Sequence, residues 1–221
     1  MDFIQSLIGK SIDIEISGKS VFQGILIDAG LDLIVIDNGL KFVYIPLVHI
    51  QNLKKSTVQS PHLEHVFTVH DSDQADNISY RKVLENAKGR FIEIFITGNQ
   101  SFCGYLTSIM NDYFVFHSPV FKTIFVSIDH VKWIIPYPDN ITPYAMDKDR
   151  FLFVPNSLPL SRTFKQQCKK LEGVFAVFDL GFDSDKVGLI EKVDGNKIEL
   201  RIANGDKLLW NLQHLKTFHV P

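Results

Sequence analysis

The strongest pattern along the chain is an alternation of apolar and polar positions that runs to a glycine and then begins again. Ile12, Ile14 and Ile16 alternate with Asp13, Glu15 and Ser17, the two-residue period of a strand with one buried face. Gly18-Lys19 follows as a tight turn, with glycine supplying a positive φ. Val21 to Asp28 reads as a second strand, in which Gly24 marks a bend too tight for a side chain. Leu31 to Asp37 is a third strand, Asn38-Gly39 a hairpin turn, and Lys41 to Ile45 a fourth strand. Pro46 interrupts the ladder, and His49 to Leu53 returns as a short fifth strand.

A shift of 80 residues lays Gly9–Ile36 over Gly89–Phe116 without a gap. Gly9, Ile12, Ile14, Ile16, Gly18, Phe22, Gly24, Leu26, Asp32 and Val35 then fall on Gly89, Ile92, Ile94, Ile96, Gly98, Phe102, Gly104, Leu106, Asp112 and Val115, identical at all ten positions. A weaker third copy opens with Val174 to Phe178 and carries Gly181 and Gly188 as its turn and bend glycines. From second glycine to a closing histidine the gaps are 25, 26 and 26 residues, ending at His49, His130 and His214. Self-similarity at a fixed period marks tandem structural repeats.

Five short, bent strands in each copy predict an all-β chain of three tandem five-stranded SH3-like or Sm-like barrels, since closure hides strand edges. The expected organisation is a first barrel at 1–55, a linker at 56–83, a second barrel at 84–135, a proline-rich strap at 136–164 and a third barrel at 165–221. Short helices are expected at Phe3–Ile8, Tyr80–Ala87 and Thr163–Leu171, ahead of each barrel. A barrel of about 50 residues is marginal alone, so three would gain by sharing apolar faces. The strap holds Pro136, Pro138, Pro143, Pro155 and Pro159, which stiffen it. Phe151 to Val154 within it are apolar enough to pack on a barrel or extend a sheet edge.

Composition narrows the functional classes. A hydrophobic share of 45% and a charged share of 22% exclude wholesale disorder. The net charge of −2 gives no electrostatic footprint for nucleic acid, and each barrel carries between −1 and +1. Lys165, Lys169 and Lys170 cluster, but as the solvated face of a helix. Two cysteines, Cys103 and Cys168, supply neither a disulfide framework nor a four-ligand zinc site. MDFIQSLIGK is not a secretory signal and no apolar run is long enough for a bilayer, so a cytoplasmic origin without membrane insertion is expected.

The chemical candidates read as structural. His49, His130 and His214 occupy one place in three different barrels, which suits a ring bonded to a nearby backbone carbonyl better than a shared metal or base. Asp32 and Asp112 recur as turn formers, and Asp183 and Asp185 lie in a solvated turn. His62, His65, His70, Asp71 and Asp73 have ligand chemistry but no tight metal spacing. No catalytic motif is present, so neither enzyme activity, metal nor cofactor is expected. Gly18, Gly24, Gly98, Gly104, Gly181, Gly188 and the three histidines are assigned as repeat-defining structural residues. Tyr113, Phe114, Phe116, Phe121 and Phe125 exceed what one small core buries, and are expected to form a partner-binding or self-association face.

Two resemblances bear on function. Ile12-x-Ile14-x-Ile16, Gly18, Gly24-x-Leu26 and Asp32 look like the first half of an Sm motif, which would imply single-stranded RNA binding. The basic residue and glycine of its second half are missing from Lys41-Phe42-Val43-Tyr44-Ile45. The tripled unit, with endings around His49-Ile50-Gln51, His130-Val131-Lys132 and His214-Leu215-Lys216, resembles the spore coat protein B family of spore-forming Bacillus-type bacteria. The Gly-Gly-Pro turn of that family is replaced here, and its serine- and lysine-rich tail does not follow. The resemblance implies a non-catalytic coat component, made in the mother-cell cytoplasm and held by self-association or by other coat proteins. An RNA-binding protein and an inhibitor that blocks one partner protein are the alternatives.

Overall fold

The computed structural model describes residues 2–18, 20–57, 78–97, 100–138, 143–145 and 159–221. The first copy runs α1 (Asp2–Gln5), β1 (Ser11–Ile16), β2 (Ser20–Ala29), β3 (Leu33–Asp37), β4 (Phe42–Pro46) and β5 (Ile50–Lys55). The second runs α2 (Tyr80–Ala87), β6 (Phe91–Thr97), β7 (Gln100–Ile109), β8 (Tyr113–Ser118), β9 (Lys122–Ser127) and β10 (Trp133–Pro136). The third runs α3 (Phe164–Lys170), β11 (Phe175–Phe178), β12 (Val187–Asp194), β13 (Lys197–Arg201), β14 (Lys207–Asn211) and β15 (Thr217–His219). The protein is predominantly all-β. Its strands form one antiparallel sheet in the order β14-β13-β12-β11-β15-β9-β8-β7-β6-β10-β4-β3-β2-β1-β5. Each copy contributes the same local order, with its fifth strand beside its first and its fourth at the far edge.

The sequence repeat is also a repeat of geometry. Gly9, Gly89 and Gly173 each donate their N–H to a second-strand carbonyl, at 2.8, 2.7 and 2.7 Å on Leu26, Leu106 and Ile190. In each second strand the register slips at the same place: between Leu26 and Asp28, Leu106 and Ser108, and Ile190 and Lys192. Such bulges bend a strand and increase its twist. Gly24, Gly104 and Gly188 lie just before them, opposite Ile12, Ile92 and Ala176. A Cβ there would stand 2.3, 2.2 and 2.3 Å from the carbonyl oxygens of Asp37, His117 and Arg201. Only hydrogen fits.

The cores interlock. Consecutive residues on β3 face opposite ways, and all five are buried. Ile34 and Ile36 enter the first core, with Ile12, Ile14 and Val43, while Leu33 and Val35 enter the second. On β8, Phe114 and Phe116 enter the second core and Tyr113 and Val115 the third. A continuous apolar run is the signature of a strand covered on both faces. By contrast β13 reads Lys197-Ile198-Glu199-Leu200-Arg201, with only Ile198 and Leu200 buried. Its outer face is polar, as a terminal repeat requires.

Two helices form close to expectation, while α1 is shorter, ending at Gln5 where Ile8 was expected. Ser79 and Thr163 accept from the N–H of Lys82 and Gln166, capping α2 and α3. Tyr80, Val83, Leu84 and Ala87 bury one side of α2, so a helix belonging to the second core crosses the expected 83/84 boundary. The third and fourth strands begin slightly later than expected, at Leu33 and Phe42, and His49 sits in a 3-10 turn (Leu47–His49) ahead of β5. Pro136 closes β10 and Tyr137 packs edge-on against Phe91, so the strap starts inside the fold. The acidic-histidine cluster His62, His65, His70, Asp71 and Asp73 lies outside the described residues, as do Gly98 and Phe151–Val154.

Overpacking of this kind costs about 1–3 kcal/mol. Gly188→Ala is therefore expected to lower the urea unfolding midpoint by that much stability. An unchanged midpoint would show that β12 can relax away from Arg201.

Candidate interface: the joints between repeats

The recurring polar residues converge on two joints. At the first, the Asp32 carboxylate accepts from the Tyr80 N–H at 2.8 Å, and at the second Asp112 accepts from Phe164 N–H at 2.7 Å. An aspartate in the turn of one repeat thus anchors the first residue of the helix of the next, where a helix N-terminus favours negative charge. Their backbone carbonyls receive the N–H of Leu47 and Ile128 at 2.8 and 3.0 Å, which fastens each turn to the 3-10 turn of its own repeat. Asn196 holds the same place in the third repeat, accepting from Leu212 N–H at 2.8 Å. Sequence reading found this pair of aspartates and assigned them to turns. It missed their reach into the next repeat, because the bond spans 48 and 52 residues.

Strand pairing makes the second element of each joint. β4 pairs with β10 through Tyr44 and Ile134, and β9 pairs with β15 through Phe125–Phe218 and Val126–Thr217. Aromatic stacking reinforces both. Trp133 lies flat on Phe95 with centroids 3.8 Å apart and meets the edge of Phe22 in the first repeat at 4.9 Å. Phe125 stacks on Phe218 at 4.6 Å. Offset and edge-on pairs of this kind add to the apolar burial.

The histidines form the third element. His130 Nε2 lies 2.8 Å from the carbonyl oxygen of Gln213, the residue before His214. His49 is set equivalently against the backbone of Asp129, the residue before His130, although its Nε2 lacks a partner within hydrogen-bonding geometry. Burial pushes both rings below the ordinary 6.5, assisted by Lys132 and His130 at His49 and by Lys216 at His130. The first two rings are near enough to repel each other when charged. His214, which meets no further repeat among the described residues, is exposed. Lys132 completes the first joint by donating to the Ser17 carbonyl at 2.6 Å, beside Gly18 in its positive-φ turn. Gly181 also adopts a positive φ, within a 3-10 turn after β11.

The aromatic surface expected on the second repeat is corrected by the structure. Tyr113, Phe114 and Phe116 are fully buried and Phe125 is 1% exposed. They fill the joint with the third repeat and the second core itself. Tyr113 donates to the Ser161 carbonyl at 2.7 Å, and burial pushes its hydroxyl up to about 12. Phe121 is partly buried and packs edge-on to Phe102 at 6.3 Å, with His219 of the third repeat at 5.9 Å. One small core did not need to bury these rings, because two cores share them.

Two open clefts flank the first joint. One of about 600 Å³ is lined by Asp28, Tyr44, Lys82 and Arg90, the other of about 540 Å³ by Leu31, Asp32, Tyr80, Arg81 and Asp129. Among the described residues no group of three or more His, Cys, Asp or Glu side chains is placed to hold a metal. Cys103 and Cys168 are both free, the second buried in the third core with its thiol pushed up by burial. No helix among the described residues is long and apolar enough to cross a membrane.

A sheet that runs through joined copies, with its recurring polar groups at the joints, defines a tandem β-repeat protein. Residues 163–218, from the α3 cap almost to the end of β15, match the family model of the YwrJ third domain. A protein of Bacillus subtilis (strain 168), described as "Uncharacterized protein YwrJ", is 40% identical over 226 residues and aligned over 100% of both chains. The chain belongs to the YwrJ family.

Removing a helix-anchoring carboxylate costs about 1 kcal/mol, so Asp32→Ala and Asp112→Ala should each lose that much stability in urea unfolding. A second expectation concerns pH. Because the folded histidines hold protons less tightly than the unfolded ones, their contribution is intact above pH 6.5 and falls away as acid charges the rings. The unfolding midpoint should therefore decline as the pH falls below about 6.5, and His130→Gln should flatten the decline. A parallel decline in that variant would exclude His130 as a source.

Proposed function

We propose that this chain is a non-catalytic structural component, built from three small Sm-like barrels and made to be incorporated into a larger protein assembly. The single observation that supports it is where the recurring polar residues go. Asp32, Asp112, His49 and His130 all act between repeats, and the bend glycines shape the strands that carry them. A scaffold of this design maintains geometry, and its recurring spacing serves the joints. The local strand order, fifth-first-second-third-fourth, supports the barrel reading of each repeat. The bacterial spore coat is the setting to which the resemblance of the three histidine endings points, with other coat proteins or further copies as partners.

A fluorescent fusion expressed in sporulating cells is expected to form a shell around the forespore, and the purified chain is expected to carry no nucleic acid by its absorbance ratio. Diffuse cytoplasmic fluorescence would overturn the coat setting. Co-purifying RNA, released steeply by salt, would favour the RNA-binding alternative. A single stoichiometric partner would favour the inhibitor.

A further inference from the structure

Both internal joints pair the fourth strand of one repeat with the fifth strand of the next. The chain therefore ends on one edge of each kind: β14, a fourth strand, and β5, a fifth strand, neither of which has a second strand neighbour among the described residues. The repeats align at their closing histidines. Leu209, five residues before His214, takes the place of Tyr44 and Phe125. Leu53, four residues after His49, takes the place of Ile134 and Phe218. Those are the residues that meet at the two joints. Phe125 is 1% exposed there, whereas Leu209 at the open end is 62% exposed. His214 likewise stands exposed where His130 has a carbonyl beside it, and Val48, whose carbonyl is the counterpart of those at Asp129 and Gln213, is 80% exposed.

We propose that the β14 edge of one chain pairs antiparallel with the β5 edge of a second copy, placing Leu209 opposite Leu53 and the His214 ring against the Val48 carbonyl. The proposal rests on the structural reading above and names the partner of that assembly. It continues an interface the molecule already makes twice. Because the two edges differ, the contact is head-to-tail, and it closes into a ring or extends as a filament according to the turn per chain. The outer joint is built to be weaker than the inner ones. Asn52 and Lys54 stand where Trp133 and Ile135 do, and β13 turns Lys197 and Glu199 outward where β3 turns Leu33 and Val35 and β8 turns Tyr113 and Val115. Lysines on an edge strand restrain indiscriminate pairing, so association is reversible and dependent on concentration.

Sedimentation velocity of the full chain across the micromolar range tests this. The wild-type protein should shift to multiples of its 25.2 kDa mass as concentration rises. Leu209→Lys and Leu53→Lys should each remain monomeric, while their equimolar mixture should form a two-chain species and nothing larger, since one intact edge of each kind survives. Asn52→Trp with Lys54→Ile restores the residues of the inner joint at two exposed positions and should tighten association by about tenfold, equivalent to ~1.4 kcal/mol. That variant tests the same joint should Leu53→Lys fail to fold. A wild-type chain that stays monomeric throughout, or association that Leu209→Lys leaves unchanged, overturns the proposal. A monomer that still localises to the forespore shell would overturn self-pairing while leaving the structural reading in place.

Discussion

Everything in this molecule depends on two strands that are covered on both faces. A strand at the middle of a small sheet normally offers one side to a core and the other to water. β3 and β8 offer both sides to cores, one inside their own repeat and one in the next. This solves the size problem of a repeat of about 50 residues, which on its own buries too little of its surface to be stable. It also makes each core a joint property: Phe95, Trp133 and Ile135 of the second repeat complete the first core, and Leu33 and Val35 of the first complete the second. Strand pairing, the aspartate-to-helix bond and the histidine then fix how far one repeat turns on its neighbour.

The energetic hierarchy follows from this. Apolar burial across the joints dominates, because several large side chains at each are wholly removed from water. The aspartate bonds are smaller but directional, and they select the register at which helix meets turn. The histidines make the joints sensitive to proton concentration, since burial favours their neutral form.

Much of this was legible in the sequence. The shift of 80 residues located the repeats, the glycine spacing located the bends, and the alternation around Ile12 to Ile16 located a first strand that the structure places at Ser11–Ile16. The double-sided burial was also written there, in Leu33-Ile34-Val35-Ile36 and Tyr113-Phe114-Val115-Phe116, which lack the alternation of a half-exposed strand. An excess of aromatic residues suggested an outer binding face, and the structure spends it inside. Periodicity reports how many faces of a strand are dry, but not whether the covering surface lies in the same chain. The reach of Asp32 and Asp112 was hidden for a related reason: hydrogen bonds across some fifty residues leave no local trace.

The contrast between β13 and its two counterparts has an evolutionary corollary. The first two repeats present apolar outgoing faces, and the incoming face of the second is apolar to match, whereas the two open edges of the sheet are ionic or amide-bearing. A gene segment duplicated within the array would meet neighbours with compatible surfaces on either side. The same segment placed beyond β14 would set apolar side chains against lysine, glutamate and arginine. By surface chemistry the array therefore accepts a further copy more readily between its repeats than beyond β14 or β5.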